Sequence, residues 1–296
     1  TQVLSTIAGY DDGRFIGTAF GASYLLARTE NDDGVGQKNE EDQWIAGLEW
    51  LEQKGADIVS SSVSFFDEFQ NASDNYQLSD LNGSTALTTL ATNIAFDKGV
   101  LVFNSAGNMG DRGAKYLGTP SDGKKMIAVG AVYGDSAVAD FSSRGPTADG
   151  RKKPDLAAAG FNVTVASPIN ATAYGIQSGT SLSTPMVAGL AALVLEAHPK
   201  WTARQLFDAI RNTASQAAHP DNMIGYGIPN AIRAINYVSY KYSDIQIQDL
   251  VNFPNPANGS VTIRFKSLMT SAFSIRIYDA LGRLVATITN NEPVTV

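Results

Sequence analysis

Helix followed by strand, repeated over residues 41–103, is the feature that most restricts what this chain can become. Glu41 to Lys54 sets Trp44, Ile45, Leu48 and Leu51 at helical spacing, with acids in the first turn and Gly55 as a stop. "DIVSSSV" follows from Asp57 and reads as a strand. Ser84 to Lys98 repeats the plan, with Leu87, Leu90, Ala91, Ile94 and Ala95 on one face, Gly99 as the stop, and the strand "VLVF" next. An earlier run, "SYLLART" from Ser23, reads as a strand ahead of the first helix. A strand that returns through a single helix re-enters the sheet in the same direction. The expected fold class is therefore α/β, a doubly wound and mostly parallel sheet. "KMIAVGAV" and "NVTVAS" read as later strands. A long apolar helix opens near Ser181, with Pro185 expected in its first turn. Thr202 and Gln205 form a capping box for another helix, and "GYGIPNAIRAINYV" opens one more.

The pattern changes near Tyr240. "SVTIRF" and "FSIRIYDALGRLVATIT" alternate apolar and polar residues, with a turn at "DALG", and no helical stretch follows Val238. Three regions are expected: a domain over 1–240, a linker over 241–249, and a small all-β, sandwich-like module over 250–296. The chain has 296 residues, a net charge of −7 and no cysteine. An acidic chain without a basic cluster argues against nucleic acid as a partner. Disulfides and thiolate metal sites are excluded. No apolar run reaches the ~18 residues of a transmembrane segment.

Chemistry concentrates in two places. "NSAGNMG" continues the strand from Val100, and sites in open α/β sheets lie at the carboxyl ends of strands. Ser181 opens an apolar helix, where backbone N–H groups are unpaired. The Ser181 N–H and the Asn108 amide could together bind a developing oxyanion. On spacing alone, the preferred reading is Ser181 as a helix-opening residue, the commonest role for a serine there, and Asn108 as a turn residue. The string "GTSLS" also lacks the G-x-S-x-G of an α/β-hydrolase elbow.

Five strings in order carry a resemblance. "NSAGN", "FSSRGP", "KPDLAAAG", "GTSLSTPMVAGLAAL" and "GYGIPNA" together resemble the subtilisin-like serine proteases, the subtilases of peptidase family S8. The resemblance implies a subtilisin-like fold and a secreted endopeptidase. It implies Ser181 as nucleophile and Asn108 as oxyanion donor. Ser62, Val63 and Ser64 would pair with substrate backbone as an added strand. Ser105, Ala106 and Gly107 would line the pocket for the residue before the scissile bond. Apolar Phe65 and Phe66 would favour apolar substrates, and Thr119-Pro120 falls where the family often has a cis proline. "FPNPANGSVTIRF" with "IYDALGRLV" resembles the C-terminal sorting domain of type IX secretion cargo. That implies the type IX secretion machinery as a partner and a secreted or surface-attached protein. A plain β-sandwich that binds carbohydrate, or only spaces the enzyme, is the other reading of this module.

The nucleophile needs a base, and the chain holds only His198 and His219. His198 lies 17 residues along the serine's own helix, roughly 25 Å at about 1.5 Å per residue. It is expected to cap that helix's last carbonyls, and His219 to sit in a surface loop. In the family pattern the histidine falls two residues ahead of Thr1 and the aspartate further upstream. The expectation is an N-terminally truncated domain without the triad His and Asp, inactive as it stands. The rival class is a peptide-binding pseudoprotease. No cofactor or metal is expected for catalysis. Asp80 and Asn82, in "SDLNGS", could contribute to a structural calcium site, though a solvated loop explains them as well.

Overall fold

The structure is a computed structural model. It describes residues 1–30, 36–67, 69–111 and 117–237, and the backbone of four strands beyond them. The chain divides into two compact units, Thr1–Tyr237 and Val238–Val296.

The first unit opens with α1 (Gln2–Ala8) and a short hairpin, β1 (Tyr10–Asp11) and β2 (Phe15–Ile16). Next come α2 (Asn39–Gln53), β3 (Ile58–Ser61), α3 (Leu87–Asp97), β4 (Leu101–Ser105), β5 (Ile127–Val132) and β6 (Leu156–Ala159). Among the described residues the four strands pair in parallel in the order β3-β4-β5-β6. An antiparallel hairpin follows, β7 (Val163–Ala166) with β8 (Tyr174–Gln177). Then come α4 (Thr180–Ala197), α5 (Ala203–Asn212) and α6 (Ala231–Ile235).

Both faces of the sheet are covered, which explains the apolar strands. Leu101 and Phe103 point to one face and pack with Ile127, Leu156, Val187 and Leu206. Val100 and Val102 point to the other and pack with Trp44, Leu48 and Met126. Helix α4 is apolar enough to cross a bilayer by length and composition. Its contacts with β3, β4, β5, β6 and α1 account for that apolarity as the packing of a core helix. The capping box forms as expected, with Gln205 Oε1 accepting from Thr202 N at 2.9 Å. Glu41, placed in the first turn of α2, is buried and accepts from the Tyr76 hydroxyl at 2.8 Å.

Three expectations change. Residues 23–29 are not a strand. Neither edge of the sheet, β3 or β6, takes them as a neighbour among the described residues. Tyr24 instead donates its hydroxyl to the Ala19 carbonyl at 2.6 Å, while Leu26 is 67% exposed. A strand exists only with a partner, and periodicity cannot supply one.

Helix α3 turns its leucines outward. Leu87, Leu90 and Ile94 are exposed, while Thr88, Thr89, Thr92, Ala95 and Phe96 are buried. The threonines tolerate burial because each hydroxyl is paired. Thr88 bonds Thr119 Oγ1 at 2.9 Å, Thr89 donates to Asp122 Oδ1 at 2.5 Å, and Thr92 donates to the Thr89 carbonyl at 2.7 Å. Burial pushes the Asp122 carboxyl above its ordinary range, so the Thr89 donor matters for holding it. Thr89→Val should therefore cost about 1–3 kcal/mol of stability, because a buried acceptor loses its donor. Ile94→Lys should change stability by less than about 0.5 kcal/mol. Denaturant unfolding of the two variants checks this; the reverse order would restore the leucine face as the buried one.

Pro185 is the sixth residue of α4 rather than part of its first turn. Its missing N–H leaves the Ser181 carbonyl without its helical partner.

The second unit holds β9 (Ile247–Phe253) antiparallel to β10 (Thr262–Ser267), and β11 (Phe273–Tyr278) antiparallel to β12 (Leu284–Asn290). Strand β9 begins inside the stretch that the sequence reading gives to the linker. The "NPANG" and "DALG" segments lie outside the described residues.

Candidate active site

Parallel pairing of β3 with β4 sets Ser61 beside Asn104. The chain therefore leaves both strands at the same end of the sheet, Ser62–Ser64 from one and Ala106–Asn108 from the other. Asn104 Nδ2 ties the two exits, donating to the Val63 carbonyl at 2.9 Å and to the Ser105 carbonyl at 3.1 Å. Ser121 Oγ adds a bond to the Ser105 carbonyl at 2.6 Å.

The amino end of α4 meets these exits. The Ser62 hydroxyl donates to the Ser181 carbonyl at 3.0 Å, the acceptor that Pro185 leaves free. The Asn108 side chain is held by its oxygen, which accepts from Thr180 N at 2.9 Å and from Thr180 Oγ1 at 3.0 Å. That leaves the Asn108 NH₂ group to face outward. Gly179 shows where it faces. A methyl group on its α-carbon would lie 3.5 Å from Asn108 Nδ2 and 3.8 Å from Ser181 N. The Asn108 side-chain amide and Ser181 N thus lie within van der Waals reach of one point beside the Gly179 α-carbon, as does Asn108 Oδ1 at 3.8 Å. Gly179 also has φ 154°, which favours glycine. Ser181 itself is half-buried and Asn108 exposed. Two N–H donors at a helix start can stabilise an oxyanion forming on a carbonyl attacked by the Ser181 hydroxyl.

The other candidate residues lie around this space in different ways. Val63 is half-buried in the α2-side core, its carbonyl engaged by Asn104. Ser64 is exposed and presses against Gly118. Ser105 and Ala106 are buried, with Ala106 N donating to the Val129 carbonyl at 2.9 Å, and Gly107 is where the chain surfaces. Phe65 and Phe66 are buried, 5% and 8% exposed, so they belong to the interior and do not select substrate side chains. The Thr119-Pro120 peptide is cis.

Neither histidine meets Ser181. His198 ends α4, stacks on Trp201 at 3.9 Å, and its Nε2 lies 2.6 Å from the Ile235 carbonyl. Its backbone N–H caps the Val194 and Leu195 carbonyls of its own helix, as expected, while its side chain serves the end of α6. His219 lines a cavity of about 720 Å³ with Arg233, Asn236 and the residues that follow α5. Asp80 and Asn82 hold their own turn, Asp80 accepting from Gln77 N at 2.8 Å and Asn82 Nδ2 bonding Thr85 Oγ1 at 2.8 Å. Among the described residues, no group of three or more His, Cys, Asp or Glu side chains is gathered for a metal ion.

Sequence reasoning missed Thr180 and Asn104. Thr180 was legible as a hydroxyl beside the helix start; that it reaches Asn108 was not, because 72 residues separate them.

The family model described as "Subtilase family" matches residues 1–227, and one described as "Secretion system C-terminal sorting domain" matches residues 252–295. Subtilisin E of Bacillus subtilis (strain 168) is 34% identical over 218 residues, covering 73% of this chain. The chain spans about half of that protein's length, 50%. Subtilisin of Bacillus pumilus is 33% identical over 218 residues, 73% of this chain and 69% of the relative. Among solved structures, the prenylagaramide maturation protease PagA superposes with a TM-score of 0.64 at 23% identity, over 80% of each chain. MycP1 with the N-terminal propeptide removed superposes with a TM-score of 0.60 at 22% identity, over 81% of this chain and 79% of that one. At such identities the structural likeness speaks for the fold alone.

Proposed function

Because the chain belongs to the subtilase family, we propose that it carries the nucleophile and the oxyanion site of a secreted serine endopeptidase. The observation that carries the reading is the convergence of Asn108 Nδ2 and Ser181 N on one space at the start of α4. In the reaction, Ser181 Oγ attacks the scissile carbonyl carbon, and a base takes the hydroxyl proton. The oxyanion of the tetrahedral intermediate accepts from Ser181 N and Asn108 Nδ2. The intermediate collapses as the proton passes to the departing amine, which leaves an acyl group on Ser181. Water then releases the acid by the same steps in reverse.

The base is proposed to come from outside these 296 residues, since His198 is held at the end of α6 and His219 lies in the loop after α5, neither of them at Ser181. The packing of α1 supports this. Val3 packs against the apolar cluster that contains Leu182, the residue after Ser181, and α1 lies against α4, so the start of α1 lies near the helix that carries the nucleophile. By the same reading, residues 1–296 alone would not turn over substrate. Ser62 to Ser64 and Ser105 to Gly107 are proposed to receive the peptide on either side of the scissile bond. No cofactor enters this mechanism.

The sorting-domain match marks the protein for the extracellular space or the cell surface. We further propose the type IX machinery as the export route, which rests on the "NPANG" and "IYDALGRLV" strings. The absence of a histidine near Ser181 favours a second reading, a peptide-binding relative with an idle serine.

One experiment separates the two. The natural protein, with whatever residues flank these 296, is treated with a fluorophosphonate probe and digested, and the adduct is mapped by mass spectrometry. A modified Ser181 supports the endopeptidase. Binding of peptides with no adduct at Ser181 would turn the reading to the pseudoprotease.

A further inference from the structure

The loop that carries Asn108 is held from outside the site by Phe141–Ser143, a stretch to which the proposed reaction gives no part. Ser143 N donates to the Gly107 carbonyl at 2.9 Å. Met109 N donates to Ser143 Oγ at 3.1 Å. Gly110 N donates to the Phe141 carbonyl at 2.8 Å. The three bonds bracket Asn108, one on the residue before it and two on the residues after.

The clamp is built into the core. Ser142 and Ser143 are both 0% exposed. Ser142 Oγ accepts from Ala131 N at 3.0 Å, which fastens the clamp to β5. The fit against the loop is close, since a Cβ at Gly110 would approach the Ser142 carbonyl oxygen to 2.1 Å. Asn108 itself is exposed, and among the described residues its side chain is bonded through Oδ1, to Thr180. The backbone around Asn108 therefore depends on bonds made by its neighbours. Two of the three are backbone to backbone and survive any substitution. The Met109 N–H to Ser143 Oγ bond is the one that a side chain supplies.

We propose that Ser143 is a positioning residue for the oxyanion site. Its hydroxyl holds the Met109 N–H and so sets the direction in which the Asn108 amide reaches the reacting oxygen. The inference rests on the reading of Asn108 as an oxyanion donor. Stabilisation of a developing charge requires donors fixed before the charge appears. A tilted Asn108 would therefore weaken binding of the transition state and leave binding of the ground state as it was.

The test measures kcat and KM for a peptide substrate with the natural protein and three variants: Asn108→Leu, Ser143→Ala, and the two combined. Ser143→Ala should lower kcat on the order of tenfold with KM unchanged, part of the roughly 10²–10³-fold that loss of such a donor costs. In the Asn108→Leu background the same change should cost nothing further in kcat. An unchanged kcat in Ser143→Ala overturns the proposal. So does an equal loss in both backgrounds, which would mark a general structural role. An unchanged kcat in Asn108→Leu overturns the underlying reading of Asn108 instead.

Discussion

Ser181→Ala, introduced into the natural protein, should lower kcat by about 10⁶-fold, the loss known for the nucleophile of subtilisin. That figure is borrowed from a relative and amounts to about 8 kcal/mol of barrier at 1.36 kcal/mol per tenfold. The size follows from the role proposed for it, since in that mechanism the acyl intermediate forms on the Ser181 hydroxyl. The neighbouring Ser62 hydroxyl donates to the Ser181 carbonyl. The fold should survive the change. The contacts that shape the site run through the backbone of Ser181 and through Thr180, and alanine keeps the helix start. Fluorophosphonate labelling should vanish with activity, while peptide binding persists. Retained labelling in Ser181→Ala would refute the assignment of the nucleophile.

Asp155→Ala should destabilise the domain by about 3–5 kcal/mol, the cost of leaving a buried charge without its partner. Lys153 and Asp155 are 2% and 4% exposed, and Lys153 Nζ lies 2.5 Å from Asp155 Oδ2. The same carboxylate accepts from Ala128 N at 2.9 Å, and Arg211 Nε lies 3.6 Å away. Its removal strips a counter-charge from two cations and an acceptor from the sheet. Burial already holds the Lys153 ammonium below the ordinary lysine range, with Asp155 pulling in the opposite direction. Without Asp155 the lysine pKa falls further. A lysine whose folded pKa is depressed penalises the folded state below that pKa and is relieved as pH rises above it. The deficit of Asp155→Ala should therefore be full below the folded lysine pKa of the variant and shrink as pH rises from there toward the ordinary lysine range. Urea unfolding at two pH values measures it. A deficit that stays constant with pH would mean that the loss comes from packing rather than charge.

Particular residues show how much was legible. The helix and strand alternation over 41–103 yielded the parallel sheet, because each βαβ unit is local and its handedness leaves little choice. The Thr202 cap was equally local. Helix α3 was not. Its leucines fit a core-facing stripe, yet the buried face is the one whose threonines find Thr119 and Asp122, residues about 30 positions away. Residues 23–29 carry a strand composition without a strand's neighbour. At the site, Ser181 and Asn108 stood out as strings, and the structure brings them together through Thr180. The function given to Pro185, a carbonyl released for Ser62, could not be read from its position in the chain.

The amino-acid sequence by itself determined the alternation of helix and strand over 41–103 and hence a parallel sheet, the family, and the two residues proposed for the chemistry. Those follow from short-range patterning and from exact strings. Tertiary structure alone decided which face of α3 is buried, which hydroxyls hold the Asn108 loop, and where the two histidines point. Each of these depends on a donor and an acceptor far apart along the chain. A hydrogen bond is defined by distance and direction in space, and no window of sequence contains either.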